Sequence, residues 1–114
     1  MTTGTRTASE QITEEVTSWP GIEAGHGTRG EYAFKLGRRE IGHLHGDHAA
    51  HFSFPRPVWS ELHGAGRIVD HPVFPGKVGP AARPIRNEAD IQDVIALMRL
   101  NYDRIIERHG LPHS

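Results

Sequence analysis

The sequence predicts a small α+β domain: one antiparallel sheet with an N-terminal, a middle and a long C-terminal helix packed on one of its faces. Three observations carry this. Residues 32–54 alternate in the two-residue rhythm of strands and are broken twice by glycine-containing turn signals. Residues 87–110 hold a continuous apolar stripe at helical spacing between a capping asparagine and a terminal glycine. Two shorter helical patterns flank the strand region.

The elements follow in order. Residues 1–6 form a Thr/Gly-rich tail, expected to be disordered, and 111–114 a second tail, which leaves 7–110 as a single domain. Thr7 and Glu10 have the spacing of a capping box, and Ile12, Val16 and Trp19 then mark one stripe of a short helix that Pro20-Gly21 ends. Residues 21–30 contain four glycines and read as a loop. Tyr32, Phe34 and Leu36 alternate along a strand, Gly37-Arg38 offers a two-residue turn, 40–45 is the return strand, Gly46-Asp47 a second tight turn and 48–54 a third strand. Pro57 suits the first turn of a helix through Trp59 and Leu62 that stops at Gly64 or Gly66. Arg67–Phe74 reads as a strand, and Pro84 confines 81–86 to an edge strand at most. Asn87, with Asp90 three positions on, caps the last helix, whose stripe runs Ile91, Val94, Ile95, Met98, Tyr102, Ile105 and Ile106 to Gly110 and Pro112.

Counting through two two-residue turns gives the register. It sets Tyr32 opposite His43 and His45 opposite His48, and it places Tyr32, Arg39, His43, His45, His48 and Phe52 on the same face as Phe34, Leu36 and Ile41. Leu44 and His51 then fall on the opposite face. The expected site is therefore a histidine-lined pocket on an apolar floor, with His43, His45 and His71 as its chemical groups. Tyr32, Arg39, His48, Phe52 and Trp59 are its expected substrate-binding walls.

Composition narrows what such a site can do. A chain of 114 residues has room for one core. A formal charge of −1 gives no electrostatic case for nucleic acid or an anionic membrane. The absence of cysteine excludes disulfides, thiolate catalysis and thiolate zinc sites, and suits a reducing compartment. With no apolar leader and no run approaching a membrane span, the expectation is a cytoplasmic protein, monomer or homodimer.

A His-x-His pair on a strand directs two imidazoles the same way, so His43 and His45, with His71 from another strand, are alternative ligands for one divalent metal ion. The cupin arrangement fails. Gly37 precedes His43 by six residues, but Ala49 and Ala50 stand where the acidic ligand belongs, and the C-terminal third is helical. A cofactor-free reading remains, in which neutral imidazoles act as acids and bases, as does a bland one of packed or solvated histidines. His63 closes a helix, where the dipole explains it, and His26, His109 and His113 lie in loops or tails. Arg38, Arg39, Arg83 and Arg86 include candidates for clamping a carboxylate or enolate.

The stretch GRREIGHLHGDHAAHFSFP from Gly37, with HPVFPGKVG from His71 and EADIQDVIALMRLNYDR from Glu88, resembles the luciferase-domain family. That family is named for the luciferases of bioluminescent fungi and includes many short bacterial proteins. Its most specific matches are Glu40–His45, His71 and Arg99–Tyr102. The fungal members oxygenate 3-hydroxyhispidin with molecular oxygen, through a high-energy peroxide and loss of carbon dioxide, without a recognised organic cofactor. The resemblance thus implies an oxygenase-type enzyme without a cofactor, acting on a planar enolic or phenolic aromatic molecule. His43 and His45 would deprotonate it, and Arg39 and Tyr32 orient it. Gly79–Arg83 departs from the family by lacking an aromatic-bearing strand, and no extension is present to cover a large substrate, so light emission is not carried over. The alternative is a non-catalytic module that binds a small molecule or a metal.

Overall fold

The computed structural model describes residues 6–111. The elements are α1 (Ala8–Thr17), β1 (Ile22–His26), β2 (Tyr32–Leu36), β3 (Arg39–His45), β4 (Ala49–Ser53), α2 (Arg56–Gly64), β5 (Val69–Asp70), β6 (Pro80–Pro84) and α3 (Glu88–His109). The strands form one antiparallel sheet in the order β1-β2-β3-β4-β6-β5, and the fold is α+β as the sequence indicates. Residues 1–5 of the expected tail at 1–6, and residues 112–114 with His113, lie outside the described residues. Among the described residues no helix is long and apolar enough to cross a membrane.

The helix ends obey local chemistry. Thr7 accepts from the Glu10 amide while the Glu10 carboxylate accepts from the Thr7 amide, closing the capping box of α1. The Asn87 side chain accepts from the Asp90 amide at the start of α3, and Gly110 ends that helix at φ 74°. The apolar stripes then meet the sheet: Ile12 and Val16 of α1, Trp59 and Leu62 of α2, and Ile91, Val94, Leu97 and Met98 of α3 share one core with Phe34, Leu36, Ile41, Leu44, Ala50 and Phe52. Tyr102 donates its hydroxyl to Pro20 O at 2.6 Å and packs on Trp19, fastening α3 to the end of α1.

Three expectations about the strands are corrected. The glycine-rich segment read as a loop forms edge strand β1, in which Ile22 and Ala24 face Leu36 and Phe34. Its alternation is real, but small residues dilute it. The strand expected over Arg67–Phe74 is only two residues long, because residues 71–79 turn back in a chain of short bends: the Phe74 amide bonds to His71 O and the Lys77 amide to Phe74 O. The segment around Pro84 is not an edge, since β6 lies between β4 and β5. Proline is tolerated there because Pro80 and Pro84 sit at the strand's two ends, beyond the reach of the short β5, which pairs only with Ala81 and Ala82.

The fourth correction decides the site. The β2–β3 turn has two residues, with Gly37 at φ 66° and Leu36 paired to Arg39. After Lys35 pairs with Glu40, however, Phe34 pairs with Gly42, and Ile41 is an extra residue in β3. This β-bulge puts Ile41 and Gly42 both toward the helices and reverses the alternation beyond them. Leu44 turns into the core, at 1 % exposure, while His43 and His45 turn to the face away from the helices. The second turn is also one residue longer than expected: His45 pairs with Ala49, so Gly46, Asp47 and His48 are the loop. The second departure cancels the first for β4. Ala50 and Phe52 remain in the core, and His51 joins the outward face.

Asn101 holds this arrangement from below. Buried at 3 % exposure, its Nδ2 donates to Ile41 O at 3.1 Å and to Ser53 O at 3.2 Å, taking the carbonyls just where β3 and β4 part at the bulge. Gly42 lets α3 approach. A Cβ there would lie 2.7 Å from Met98 Sδ and 3.0 Å from Phe52 Cδ1. At the other end of α3, Arg83 donates to Asp90, Asp93 and the Arg67 carbonyl, and Arg67 pairs with Asp93. Arg83 is thus committed to joining β6 to α3, on the face opposite the histidines.

Candidate functional site

The outward face of the sheet gathers four imidazoles. His43 and His51 are cross-strand partners on β3 and β4, His45 is two residues along the same face, and His71 enters from the loop after β5. Ring centroids are 4.9 Å apart for His43–His45, 5.3 Å for His43–His51, and 4.2 Å for both His45–His51 and His51–His71. One ligand atom from each of His43, His45 and His51 lies within 4.8 Å of the other two.

Each imidazole has a distinct setting. His43 Nδ1 is 2.6 Å from Glu40 Oε2, so Nδ1–H donates to the carboxylate and, in the neutral ring, the lone pair is on Nε2. Glu40 can do this because it lies on the same face, three residues before His43 and on the near side of the bulge. His71 shows the reverse tautomer. Its Nδ1 accepts from the Val73 amide at 3.1 Å, which leaves the proton on Nε2. His45 is exposed. His51 is buried at 7 % exposure beneath the other rings, and its Nδ1 has no hydrogen-bond partner. Burial, together with the neighbouring His45, His71 and His43, pushes the His51 pKa down to about 4, so its ring is neutral at physiological pH. The same causes, burial first and then His43 and His45, lower that of His71.

Beside the imidazoles runs an apolar margin. Phe74 packs 5.3 Å from His71 and is 44 % exposed; Val69, paired with Ala82 and hence on this same face, is 47 % exposed, and Val73 is 66 % exposed. The Asp70 carboxylate accepts from the Gly76 amide, which holds its pKa below the usual range and fixes the bend that carries His71.

The structure brings His43, His45 and His71 together, and it adds His51. It does not bring the expected walls to them. Tyr32 lies on the helix side, edge-on to His26, in a separate cleft of about 650 Å³ between α1 and strands β1–β3 lined by Ser9, Thr13, His26 and Leu44. Arg39 is at the β2–β3 turn near His109. His48 is in the β3–β4 turn, pointing to solvent. Phe52 is core, and Trp59 is core with its indole N–H on Pro80 O at 2.9 Å. Tyr32 and Phe52 stay on the helix side while the bulge carries His43 and His45 to the other face, and the longer β3–β4 turn takes His48 out of the strand. His51 was missed because of the reversed face of β3, although the glycine within the β3 pattern was a visible sign of a bulge.

The family model for the luciferase domain matches residues 38–101, more than half of the chain. The chain belongs to the luciferase-domain family. No curated protein and no solved structure matches it. The luciferase-domain segment runs from the β2–β3 turn to Asn101 in α3, and therefore contains the bulge, all four clustered histidines, Glu40 and the asparagine that ties them to the core.

Proposed function

We propose that this luciferase-domain protein binds a planar enolic or phenolic aromatic molecule on the imidazole face and promotes its reaction with molecular oxygen. The observation that carries the reading is the meeting of four imidazoles beside an exposed phenylalanine, inside the family-matched segment. A flat ligand suits a flat site. The sheet face offers ring-sized surface in Phe74 and His71 and a margin of Val69 and Val73, while the imidazoles supply directional polar groups.

The chemistry asked of the site is to hold the ligand as its anion, because an enolate passes an electron to oxygen far more readily than the neutral enol. His71, with its proton on Nε2, is a hydrogen-bond donor to a ligand oxygen. Its tautomer is held by the Val73 amide, so this orientation is set before binding. Arg39 and Tyr32 have no part in this version of the site, being on other surfaces of the molecule.

The test is oxygen uptake by purified protein offered a panel of 4-hydroxy-2-pyrones, catechols and 3-hydroxyhispidin. The expected result is consumption of oxygen by at least one of them that is lost in the His43→Gln/His45→Gln variant. Stoichiometric binding with no oxygen consumed would replace the enzyme by a binding module. No binding and no uptake by any of them would end this reading.

A further inference from the structure

We propose that His43, His45 and His51 together bind one divalent first-row transition-metal ion. His51 here takes the place that sequence spacing gives to His71. The inference deepens the preceding section: the ion's service to an enolate rests on that reading, whereas its binding rests on the geometry alone.

The argument begins with what the three rings present. Glu40 accepts a hydrogen bond from His43 Nδ1–H, so in the neutral ring Nε2 offers a lone pair, and a carboxylate on the far nitrogen both fixes the ring and raises its basicity as a ligand. His51 is more than nine-tenths buried and its Nδ1 has no partner, a state that ordinarily costs stability and calls for an explanation. His45 completes the set, with all three ligand atoms within 4.8 Å of one another. Ligand nitrogens about 2.0–2.1 Å from a tetrahedral ion are about 3.3 Å apart, so modest ring rotations close the site. Lone pairs converging in this way repel an anionic ligand. A cation among them reverses the sign, and imidazole donors suit zinc, iron, nickel and copper.

His71 stands outside the set despite its ring lying 4.2 Å from His51. Its Nδ1 lone pair is occupied by the Val73 amide and its Nε2 bears a proton, so neither nitrogen is a ligand in this arrangement. It is instead placed to donate to a molecule bound at the ion. Three neutral ligands on one side leave coordination positions open toward solvent. The ligand class this favours is a bidentate oxygen donor such as an enolate with an adjacent carbonyl, or a catecholate.

The experiment uses tag-free full-length protein, stripped with a chelator and titrated with Zn²⁺ by calorimetry and with Co²⁺ by its visible spectrum. The expected result is one equivalent bound per chain. His51→Leu, His43→Ala and His45→Ala each weaken it by roughly a hundredfold or more as a ligand is removed. Glu40→Gln weakens it by about ten- to a hundredfold, while His71→Ala and His48→Gln leave it within about threefold. His45 is exposed, so its alanine variant reports on the site even if the buried His51→Leu misfolds; circular dichroism identifies that case. No binding, or binding that survives His45→Ala and Glu40→Gln but falls with His48→Gln, overturns the proposal. Full oxygen uptake by stripped protein overturns the ion's service to the enolate while sparing the enzymatic reading. A bound ion with no turnover does the opposite.

Discussion

Replacing Asn101 by leucine tests the connection between the core and the histidine face. The side chain is 3 % exposed, and its two Nδ2 hydrogens are spent on Ile41 O and Ser53 O, the carbonyls that the bulge leaves between β3 and β4. Leucine is near in size, so packing changes little and the loss is polar. Each buried carbonyl left without a donor costs about 1–3 kcal/mol. Two of them, partly relieved by relaxation and by the apolar gain of leucine, give an expected loss of about 2–4 kcal/mol against a typical total of about 5–15 kcal/mol. The Arg104 guanidinium also loses its contact with Asn101 Oδ1, at little cost because it is partly exposed. Urea unfolding followed by circular dichroism measures the change, with the slope m unaltered. His43 and His51 lie two residues from the two carbonyls, so amide exchange across β3 and β4 should quicken more than in α1. A loss under 1 kcal/mol, or exchange that quickens uniformly over the molecule, would refute the idea that this asparagine holds the bulge.

Two further outcomes follow from the same geometry. Gly42→Ala drives a methyl against Met98 Sδ at 2.7 Å and Phe52 at 3.0 Å, and should cost about 1–3 kcal/mol by thermal or urea unfolding. Adding Met98→Val should recover part of that loss, and strict additivity of the two would show that they do not meet. In chelator-treated protein, His51→Leu should leave stability nearly unchanged or raise it at pH 8, since it removes an unpartnered buried nitrogen. The His51 pKa is depressed from 6.5 to about 4, so the unfolded chain binds the extra proton between those values and the native protein loses stability as pH falls through them. The variant's advantage should therefore grow by about 2 kcal/mol on going from pH 8 to pH 5. A pH-independent difference would contradict a buried neutral ring.

By itself the sequence determined which segments fold and what they are made of. The capping residues Thr7 and Asn87, the helical stripes from Ile12 and Ile91, and the Gly37-Arg38 turn act over a few neighbouring positions, and each is found as expected. It also determined the family and the chemical material of the site, since His43, His45 and His71 do meet. Only the tertiary structure decided which face carries them and which fourth ring joins. A strand has a period of two, so one inserted residue exchanges its faces, and where that residue is inserted depends on packing from another element. Here α3 seats Met98 on Gly42 and binds the bulge carbonyl through Asn101, sixty positions away in the chain. Local counting has no access to either contact. Burial energetics did hold a hint, because a face with Leu44 outward and His43 inward sacrifices apolar burial for buried imidazoles. The bulge resolves that conflict: Leu44 goes to the core, and the histidines go to the open face, where a ligand can reach them.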